Sequence, residues 1–589
     1  MKMHLSESER CRLGHVVAIV TAVWFVTSCA RQEPADLVLT GGKVLTVDRD
    51  FSIQSTVVIR DGKILAVGAD AIARRYKARR MIDLKGRVLM PGFTDTHLHV
   101  FGRARRDVEL ASATSITQVQ QLVRDKAKEL GPGQWITGYG WDEAKFSEQR
   151  NIVGADLDVA APDNPVALTR AGGHSIVGNA RAMHVAGITR TTADPPQGLI
   201  ERNSKGEPNG IVRESLQLYS QHFPLLEWSE VRDSYVATLR SLLALGITSL
   251  MEASGTIDDE PVGKGGIEQS DAGSLTERLT YRRVRDIYER HGAELPRIAL
   301  YINYPGAERL KAFPFHTGDG DERVRLGPIG ESPVDGGFTG PTAWTLADYK
   351  GQPGFRGRGR YTDSELQELV DTSAELGWQL GLHAIGDAAI VQTVNAYSYA
   401  LRASGAVHKD HRWFLDHFTM LPPEQTMQVM AADKIMIAQQ PNFSYTLEGR
   451  YAQTLDEERV AHLNSVATPA KKHGLFVALG SDNLPIGPLI GLYAAVTRKG
   501  MSGAVHGVEE AVSIQDAIRM YTANGPYLTF EEKTKGTIEV GKLADLIVLD
   551  RDPLTIAPEQ LLRTQVDLTI VGGNIVFDRS QSVPPSGAP

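Results

Sequence analysis

A repeated alternation of strand-like and helical patterns is the feature that most constrains how this chain can fold. Short apolar runs recur through its middle, and amphipathic segments such as 363–376 and 423–432 separate several of them. Strands that alternate with helices predict a parallel sheet covered by helices, an α/β fold. Together with the strand that carries His97, the predicted strands number eight, which favours a closed (β/α)₈ barrel. The other seven lie at 245–251, 297–302, 324–329, 380–383, 414–417, 435–438 and 476–480.

Metal-capable side chains follow several of these strands. In the motif at 91–99, Pro-Gly-Phe-Thr-Asp-Thr-His-Leu-His, the apolar run 88–90 leads to His97 and His99. Residues two apart in a strand point to the same face, so these imidazoles can converge on one point. Barrel active sites form at the carboxyl ends of the strands, and the later strands end in similar residues. Those residues are His383, then Asp416 and His417, then Ser481 and Asp482. The pattern predicts a metal site.

Composition narrows the function classes. With 42% hydrophobic and 23% charged residues, the 589-residue chain has ordinary globular usage, which argues against a protein with many membrane spans. A net charge of −8 without a basic block argues against nucleic-acid binding. The only cysteines are Cys11 and Cys29. Since both lie near the amino terminus, any metal in the folded part must be held by His, Asp or Glu.

The amino terminus has the pattern of a targeting signal. Basic residues at positions 2, 10 and 12 precede an apolar stretch at 16–26, which is short for a membrane span and fits a signal peptide. The sequence Val-Thr-Ser-Cys that ends at Cys29 resembles the lipobox of bacterial lipoproteins. That resemblance implies export, cleavage before Cys29, and a lipid anchor on the periplasmic or outer-membrane side of the cell envelope. A plain secretory peptide with an incidental cysteine is the alternative.

Both ends of the chain contain short strand-like patterns. Apolar runs broken at Gly and Asp-Gly predict short strands in 36–90 and again in 526–578, and we expect both to form one small β-sandwich. The predicted organisation has seven parts. They are a signal peptide (1–28), a tether (29–35), the first sandwich part (36–90), the barrel (91–525), its insertion (103–230), the second sandwich part (526–578) and a disordered tail (579–589).

These motifs carry a family resemblance that extends from residue 36 to residue 578. The motif at 91–99, the strand-end histidines and the final Ser-Asp resemble the metal-dependent amidohydrolase superfamily. Gly-Gly-His-Ser at 172–175, the segment 198–211 and His-Ala-Ile-Gly-Asp at 383–387 are similar to its family 3 branch. N-substituted formamide deformylases belong to that branch.

The resemblance implies a ligand set. His97, His99 and Asp482 would bind one divalent metal, expected to be zinc, and His383 and His417 would bind a second where two are present. Many family 3 members have a lysine four residues before an Asp-Gly pair, whereas here Glu331 has that position. A glutamate cannot be carbamylated as a lysine can. Glu331 either bridges two metals directly or is a solvated charge, so the metal count stays open.

The mechanism follows from those ligands. Zinc with an open position lowers the pKa of bound water to about 7 and polarises a carbonyl, and Asp482 would serve as general base. His174 either stabilises the oxyanion or holds the insertion in place. Asp387 is a candidate for the carboxylate that orients a metal ligand. Trp141 and Phe338 are candidates to line an apolar substrate pocket.

Three functions are compatible with the sequence. The first is a hydrolase that cleaves a non-peptide C–N bond, the amide of an N-acyl or N-formyl amine. The second is a deaminase or cyclic-amide hydrolase on the same scaffold. The third is a surface lipoprotein that binds a metal or ligand without catalysis. The expected partners are a small-molecule amide and, through Cys29, a membrane, while the oligomeric state is open.

Overall fold

The computed structural model describes residues 32–100, 104–171, 173, 175–195, 198–224, 228–257 and 279–581. Within them the strands, in chain order, are β1 (Glu33–Thr40), β2 (Lys43–Leu45), β3 (Ile53–Gln54), β4 (Thr56–Arg60), β5 (Lys63–Gly68), β6 (Tyr76–Asp83), β7 (Val88–Pro91), β8 (Phe93–Leu98), β9 (Asp107–Glu109), β10 (Ile136–Trp141), β11 (Val166–Arg170), β12 (Ser175–Gly178), β13 (Leu199–Arg202), β14 (Pro208–Arg213), β15 (Ile247–Glu252), β16 (Arg297–Ile302), β17 (Val324–Gly330), β18 (Leu380–Ala384), β19 (Phe414–His417), β20 (Met436–Gln439), β21 (Val477–Leu479), β22 (Leu546–Leu549), β23 (Val566–Val571) and β24 (Asn574–Asp578).

The α-helices, in chain order, are α1 (Ile116–Leu130), α2 (Gly154–Ala160), α3 (Ala180–Val185), α4 (Gln217–Ser220), α5 (Trp228–Leu243), α6 (Tyr281–His291), α7 (Ala307–Ala312), α8 (Asp363–Glu375), α9 (Asp387–Ala403), α10 (Glu424–Asp433), α11 (Asn442–Thr446), α12 (Glu448–Thr454), α13 (Glu457–Ala461), α14 (Pro488–Thr497), α15 (Ile514–Thr522) and α16 (Asn524–Leu528). Among the described residues, no helix combines the length and the apolar character needed to cross a membrane.

Eight parallel strands form a nearly closed barrel, which confirms the predicted fold class. Their order is β8, β15, β16, β17, β18, β19, β20 and β21. The two end strands meet where the backbone N–H of Asp482 donates to the carbonyl of His97 at 2.8 Å. Side chains two residues apart on the same strand, such as Ala299 with Tyr301 and Met436 with Ala438, fill the barrel interior. A packed core therefore supports the strand ends that carry the metal-capable residues.

The terminal segments meet in one six-stranded sheet of order β24, β23, β22, β7, β2 and β3. A four-stranded sheet of order β5, β4, β1 and β6 shares an apolar cluster with it, which includes Leu39, Ile59, Leu89 and Val548. The chain ends thus join as expected, while the sandwich geometry stays a prediction.

The apolar run before the first histidine motif does not belong to the barrel. Val88–Pro91 pairs with β2 and β22, and the barrel strand begins only at Phe93. The chain passes from the terminal sheet to the barrel at Gly92. Glycine is needed there because a Cβ atom would lie 2.2 Å from the side chain of Thr248. The segment 88–98 therefore contributes β7 to the terminal sheet and β8 to the barrel.

The residues between β8 and β15 build a sheet of their own, of order β13, β14, β12, β11, β10 and β9. Its parallel pairs are β9 with β10 and β10 with β11, and the remaining pairs are antiparallel. Helices α1 and α2 contribute Val119, Val123 and Leu157 to its apolar cluster. This unit follows directly on the first metal-capable strand.

Candidate metal centre

The two histidines of the first motif converge at the end of β8. His97 is the fifth residue of that strand, and His99 follows its last residue. Their Nε2 atoms lie 3.3 Å apart, and the His99 Nε2 atom lies 3.7 Å from Oδ1 of Asp482. His97, His99 and Asp482 each present one ligand atom within 4.8 Å of the others.

Glu331 lies at the centre of the remaining candidates. Its Oε1 atom is 3.2 Å from Nδ1 of His383 and 4.0 Å from Nε2 of His99. Its Oε2 atom is 3.6 Å from Nε2 of His417 and 4.0 Å from Nε2 of His97. Each carboxylate oxygen thus faces one histidine of the first motif and one histidine from a later strand, an arrangement compatible with a bridging carboxylate.

Backbone geometry at three of these residues is unusual. Glu331, His417 and Asp482 have φ values of 56°, 68° and 53°, in the left-handed region. Residues other than glycine seldom adopt this conformation, which costs of order 1–3 kcal/mol and concentrates at functional sites. All three residues lie at or just beyond the end of a barrel strand, where the turn aims the side chain across the barrel mouth.

The outer nitrogens of three histidines contact neighbouring polar groups. His417 Nδ1 lies 2.8 Å from Oε1 of Gln440, and His99 Nδ1 lies 2.7 Å from Oγ of Ser254. His97 Nδ1 lies 3.2 Å from Oδ1 of Asp416. Because an amide oxygen only accepts hydrogen bonds, the Gln440 contact places the proton of neutral His417 on Nδ1. Its Nε2 atom is then left for a metal.

Buried charge dominates the electrostatics. Burial lowers the pKa of His97, but the negative charges of Asp416, Glu331 and Asp482 outweigh it and raise that pKa to about 10. Burial raises the pKa of Glu331, but the adjacent imidazoles, His383 first, hold it well below its ordinary value. The site therefore favours positive charge, which a metal cation would supply.

Two buried atoms test whether a metal fits. Glu331 Oε2 and His417 Nε2 are both buried, and neither has a hydrogen-bond partner among the described residues. Such atoms are costly unless something satisfies them. They belong with His97 to a second group of ligand atoms within 4.8 Å of one another. Imidazole nitrogens and carboxylate oxygens are ligands that zinc takes, so the donor set fits a divalent metal.

Asp95, two residues before His97, ties the first and last barrel strands together beneath the cluster. Its Oδ1 atom accepts hydrogen bonds from the backbone N–H groups of His97 at 3.2 Å and Ser481 at 2.9 Å. Burial raises the pKa of Asp95 to about 7, although those N–H groups oppose the rise. The Asp95 carboxyl group thereby fixes the spacing between the His97 and Asp482 segments.

The ligand cluster opens into a cavity of about 620 Å³ that is continuous with solvent. His99, Glu331, His383, His417 and Asp482 contribute to its wall. The apolar part of the wall consists of Phe338, Ile385, Phe443, Leu447, Tyr451 and Leu484. Phe338 is thus a lining residue.

Trp141 lies in a different place from the one expected. It is buried in the apolar core of the insertion, where its ring stacks on Phe146 at 6.4 Å. A register shift between Tyr139 and Trp141, with Gly140 at φ 100°, breaks the regular alternation of side chains along β10. Tyr139 lines the cavity instead.

Asp387 also has another role. As the first residue of α9, it accepts hydrogen bonds from the backbone N–H groups of Leu346 at 2.8 Å and Ala388 at 3.1 Å. Glu331 lies beside Nδ1 of His383, and the carboxylate near the other ring nitrogen is that of Asp335, whose Oδ1 atom lies 3.9 Å from Nε2. The chain turns from strand β18 into helix α9 after His383, and this turn directs the side chain of Asp387 toward the helix start.

Two predicted residues lie outside the described part of the chain. They are His174, the candidate oxyanion donor, and Cys29, the candidate lipidation site. The roles of both stay predictions.

Several residues that complete the site were missed. Ser254 and Gln440 follow β15 and β20 within two residues. A search of every strand end for polar side chains of any type, rather than for metal ligands alone, would have found both. Asp416 was identified as a strand-end residue, but its contact with His97 Nδ1 was not predicted. Asp335 belongs to the Asp-Gly pair that lies four residues after Glu331, and no role of its own was predicted for it.

Comparisons with known proteins agree with this geometry. The model of the amidohydrolase family matches residues 80–577. The Bacillus subtilis (strain 168) protein YtcJ, whose name assigns it to the amidohydrolases, is 28% identical over 558 residues, which cover 92% of this chain and 99% of YtcJ. N-substituted formamide deformylase of Arthrobacter pascens is 27% identical over 562 residues, covering 93% and 99%.

Solved structures show the same fold. An uncharacterised metal-dependent hydrolase from Pyrococcus horikoshii OT3 aligns with a TM-score of 0.68 at 22% identity, covering 89% of this chain and 99% of that one. A second, from Pyrococcus furiosus, aligns with a TM-score of 0.66 at 23% identity, covering 88% and 100%. With a family match over most of its length and a cluster of candidate metal ligands at its barrel mouth, the chain belongs to the amidohydrolase family, the metal-dependent hydrolases of carbon–nitrogen bonds.

Proposed function

We propose that this enzyme hydrolyses the amide bond of an N-acyl or N-formyl amine, with Asp482 as the proton-transfer group. Water adds across the C–N bond, its oxygen and one hydrogen go to the acyl carbon as the acid, and the other hydrogen goes to the amine. The observation that carries the proposal is the position of Asp482, which lines the cavity and lies 3.7 Å from Nε2 of His99.

A divalent metal, for which we propose zinc, would lower the pKa of a water molecule and polarise the substrate carbonyl when held by His97, His99 and Asp482 and by Glu331, His383 and His417. Asp482 is restrained from two directions. Its backbone N–H donates to His97, and its Oδ1 atom accepts from the N–H of Asn483 at 2.6 Å. A carboxylate held so firmly can take a proton from water and deliver it to the leaving nitrogen with little movement.

The neighbouring wall supports an apolar substituent on the substrate. Phe338, Phe443 and Leu447 are buried together in one apolar cluster beside the ligand residues. Apolar walls exclude water and strengthen electrostatic interactions inside the cavity. The name of the Arthrobacter pascens relative supports the formyl group as the acyl part.

The test measures amine release by wild-type enzyme and by Asp482→Asn. N-formyl and N-acetyl derivatives of aliphatic and aromatic amines serve as substrates. We expect a primary amine as product, and a rate lower by about 10²–10⁴-fold in the variant, the usual contribution of a general base. Circular dichroism checks that the variant is folded.

Two outcomes would contradict the proposal. An unchanged rate in Asp482→Asn would remove the carboxylate from the mechanism. Aminated heterocycles are assayed in parallel. Release of ammonia from them, without release of a primary amine from the amides, would favour a deaminase.

A further inference from the structure

A half-buried arginine lies behind residues that line the cavity. Arg450, in α12, is flanked by the cavity-lining residues Leu447 and Tyr451. Its Nη1 atom donates to the carbonyl of Thr339, which also lines the cavity, at 3.2 Å. Over the described part of the chain, no carboxylate forms an ion pair with this guanidinium. Four of its N–H groups remain after the Thr339 contact, since a guanidinium carries five donors.

The acidic groups near Arg450 are Asp142 and Glu143, and both also interact with Arg170. Arg170 holds both oxygens of Glu143, at 2.8 and 2.7 Å, and lies 3.9 Å from Asp142. Burial and the positive charge of Arg170 lower the pKa of Arg450, and the negative charges of Asp142 and Glu143 offset only part of this effect. The guanidinium of Arg450 is therefore a partly desolvated cation beside a second cation, an environment that an incoming anion would relieve.

The surface near Arg450 gives the shape of a matching ligand. The metal-ligand residues form one part of the cavity wall, and Phe338, Phe443 and Leu447 form an apolar part. Arg450 contacts Thr339, a lining residue of the same cavity. A ligand that uses all three regions needs an amide, an apolar body and a negatively charged group at the far end.

We propose that Arg450 binds a carboxylate of the substrate, so that the substrates are N-acyl or N-formyl amines with an apolar body and a remote carboxylate. A carboxylate suits a guanidinium because two parallel N–H···O bonds can form between the two planar groups. The proposal rests on the proposed function for the position of the amide, and it makes Arg450 a residue that determines specificity.

The test compares matched ligands. A series of straight-chain N-formyl ω-amino acids of increasing length is paired with the corresponding neutral methyl amides. Equilibrium binding is measured by calorimetry on Asp482→Asn and on Asp482→Asn combined with Arg450→Gln, Arg450→Lys or Arg190→Gln. Arg190 lies in the insertion with an exposed side chain, so its replacement is a control for the loss of one positive charge.

We expect at least one acid to bind about tenfold tighter than its amide, in line with hydrogen bonds to charged groups. Arg450→Gln should abolish this preference, Arg450→Lys should keep part of it, and Arg190→Gln should keep all of it. If Arg450 only supports the Thr339 segment, Arg450→Gln will weaken acids and amides equally, which would overturn the proposal. An absence of any preference for acids in the Asp482→Asn parent would do the same.

Binding and turnover separate the two proposals. If acids are preferred through Arg450 but wild-type enzyme releases no amine from any of them, the anion subsite stands and the proposed amide hydrolysis fails. If wild-type enzyme cleaves acids and amides with the same kcat/KM, the hydrolysis stands and the anion subsite fails.

Discussion

At the scale of single residues, the metal centre depends on groups that no metal would touch. Gln440 is fully buried, and its Oε1 atom contacts His417 Nδ1 at 2.8 Å. Its amide nitrogen donates to the carbonyl of Ala438 at 3.1 Å. The amide orientation is thereby fixed, and with it the nitrogen that His417 offers to a metal.

Replacing this glutamine should weaken metal binding. Gln440→Leu keeps the side-chain size but leaves His417 Nδ1 without its acceptor, so we expect the metal affinity to fall about 10–100-fold. Competition with a chelator measures the affinity. Gln367→Leu, on the partly buried Gln367 of α8, is the control and should leave the affinity unchanged. Equal affinities in the two variants would contradict the orienting role of Gln440.

The residue scale also marks what the sequence could reveal of the site. His97, His99, His383, His417 and Asp482 were identifiable because metal-binding residue types followed apolar strand patterns. Ser254 and Gln440 were not identifiable, because serine and glutamine have many roles in proteins. Only their contacts with histidine nitrogens show that they orient candidate metal ligands.

At the scale of elements, the loop between β18 and α9 is held by close backbone packing. Asp335 accepts hydrogen bonds from the backbone N–H groups of Trp344, Ile385 and Gly386, at 2.8, 3.0 and 2.8 Å. A Cβ atom at Gly386 would lie 1.9 Å from the carbonyl oxygen of Trp344. Only glycine allows this approach, three residues after His383.

A pair of alanine substitutions tests this packing. Gly386→Ala must displace the backbone of Trp344, and we expect a loss of about 1–3 kcal/mol in the free energy of unfolding. Gly449→Ala is the control, because a Cβ atom there would meet nothing within 4 Å. In helix α12 that change should stabilise by about 0.5–1 kcal/mol. Denaturant unfolding measures both, and equal effects would contradict the steric argument.

Elements were predictable where hydrophobic period and turn signals agreed. Seven of the eight barrel strands lie where the apolar runs indicated. The run at 88–90 was harder, because only the sheet partners reveal that β7 and β8 separate at Gly92. Gly140 within a strand pattern suggests a bulge, but only the pairing of β10 shows that the register shift separates the environments of Tyr139 and Trp141.

At the scale of the whole molecule, a buried ion pair joins the barrel to the terminal sheet. Arg297, at the start of β16, donates to both oxygens of Asp545 at 2.7 and 3.0 Å. The N–H of Gly572 also donates to Asp545 at 2.7 Å. Burial raises the pKa of Asp545, but Arg297 and Gly572 outweigh it and hold that pKa below 3.8.

Removing the charge of Asp545 should destabilise the protein. Asp545→Asn leaves the Arg297 guanidinium buried without its partner, which costs about 3–5 kcal/mol. Because the folded-state pKa of Asp545 is depressed, its stabilisation is present above the unfolded-state value near 3.8 and is lost as the pH falls through the lower folded-state value. The difference between wild type and variant should therefore shrink below pH 3.8.

Denaturant unfolding over a pH series measures this difference. The exposed Asp125, 3.7 Å from Lys128, provides the control Asp125→Asn, which should behave as wild type. A variant as stable as wild type at neutral pH would contradict the importance of the pair. Such a contact, 248 residues apart in the chain, could not be foreseen from the sequence, since many acidic side chains could have paired with Arg297.

The most direct test of the whole account is the metal content per chain. Protein expressed from Ala30 and reconstituted with zinc is compared with His97→Ala, and with His408→Ala on an exposed histidine as control. We expect one or two divalent ions per wild-type chain, the numbers that metallohydrolases use, and the same in the control. His97→Ala should hold fewer because His97 belongs to both groups of ligand atoms. No bound metal in wild-type protein after reconstitution would contradict the account.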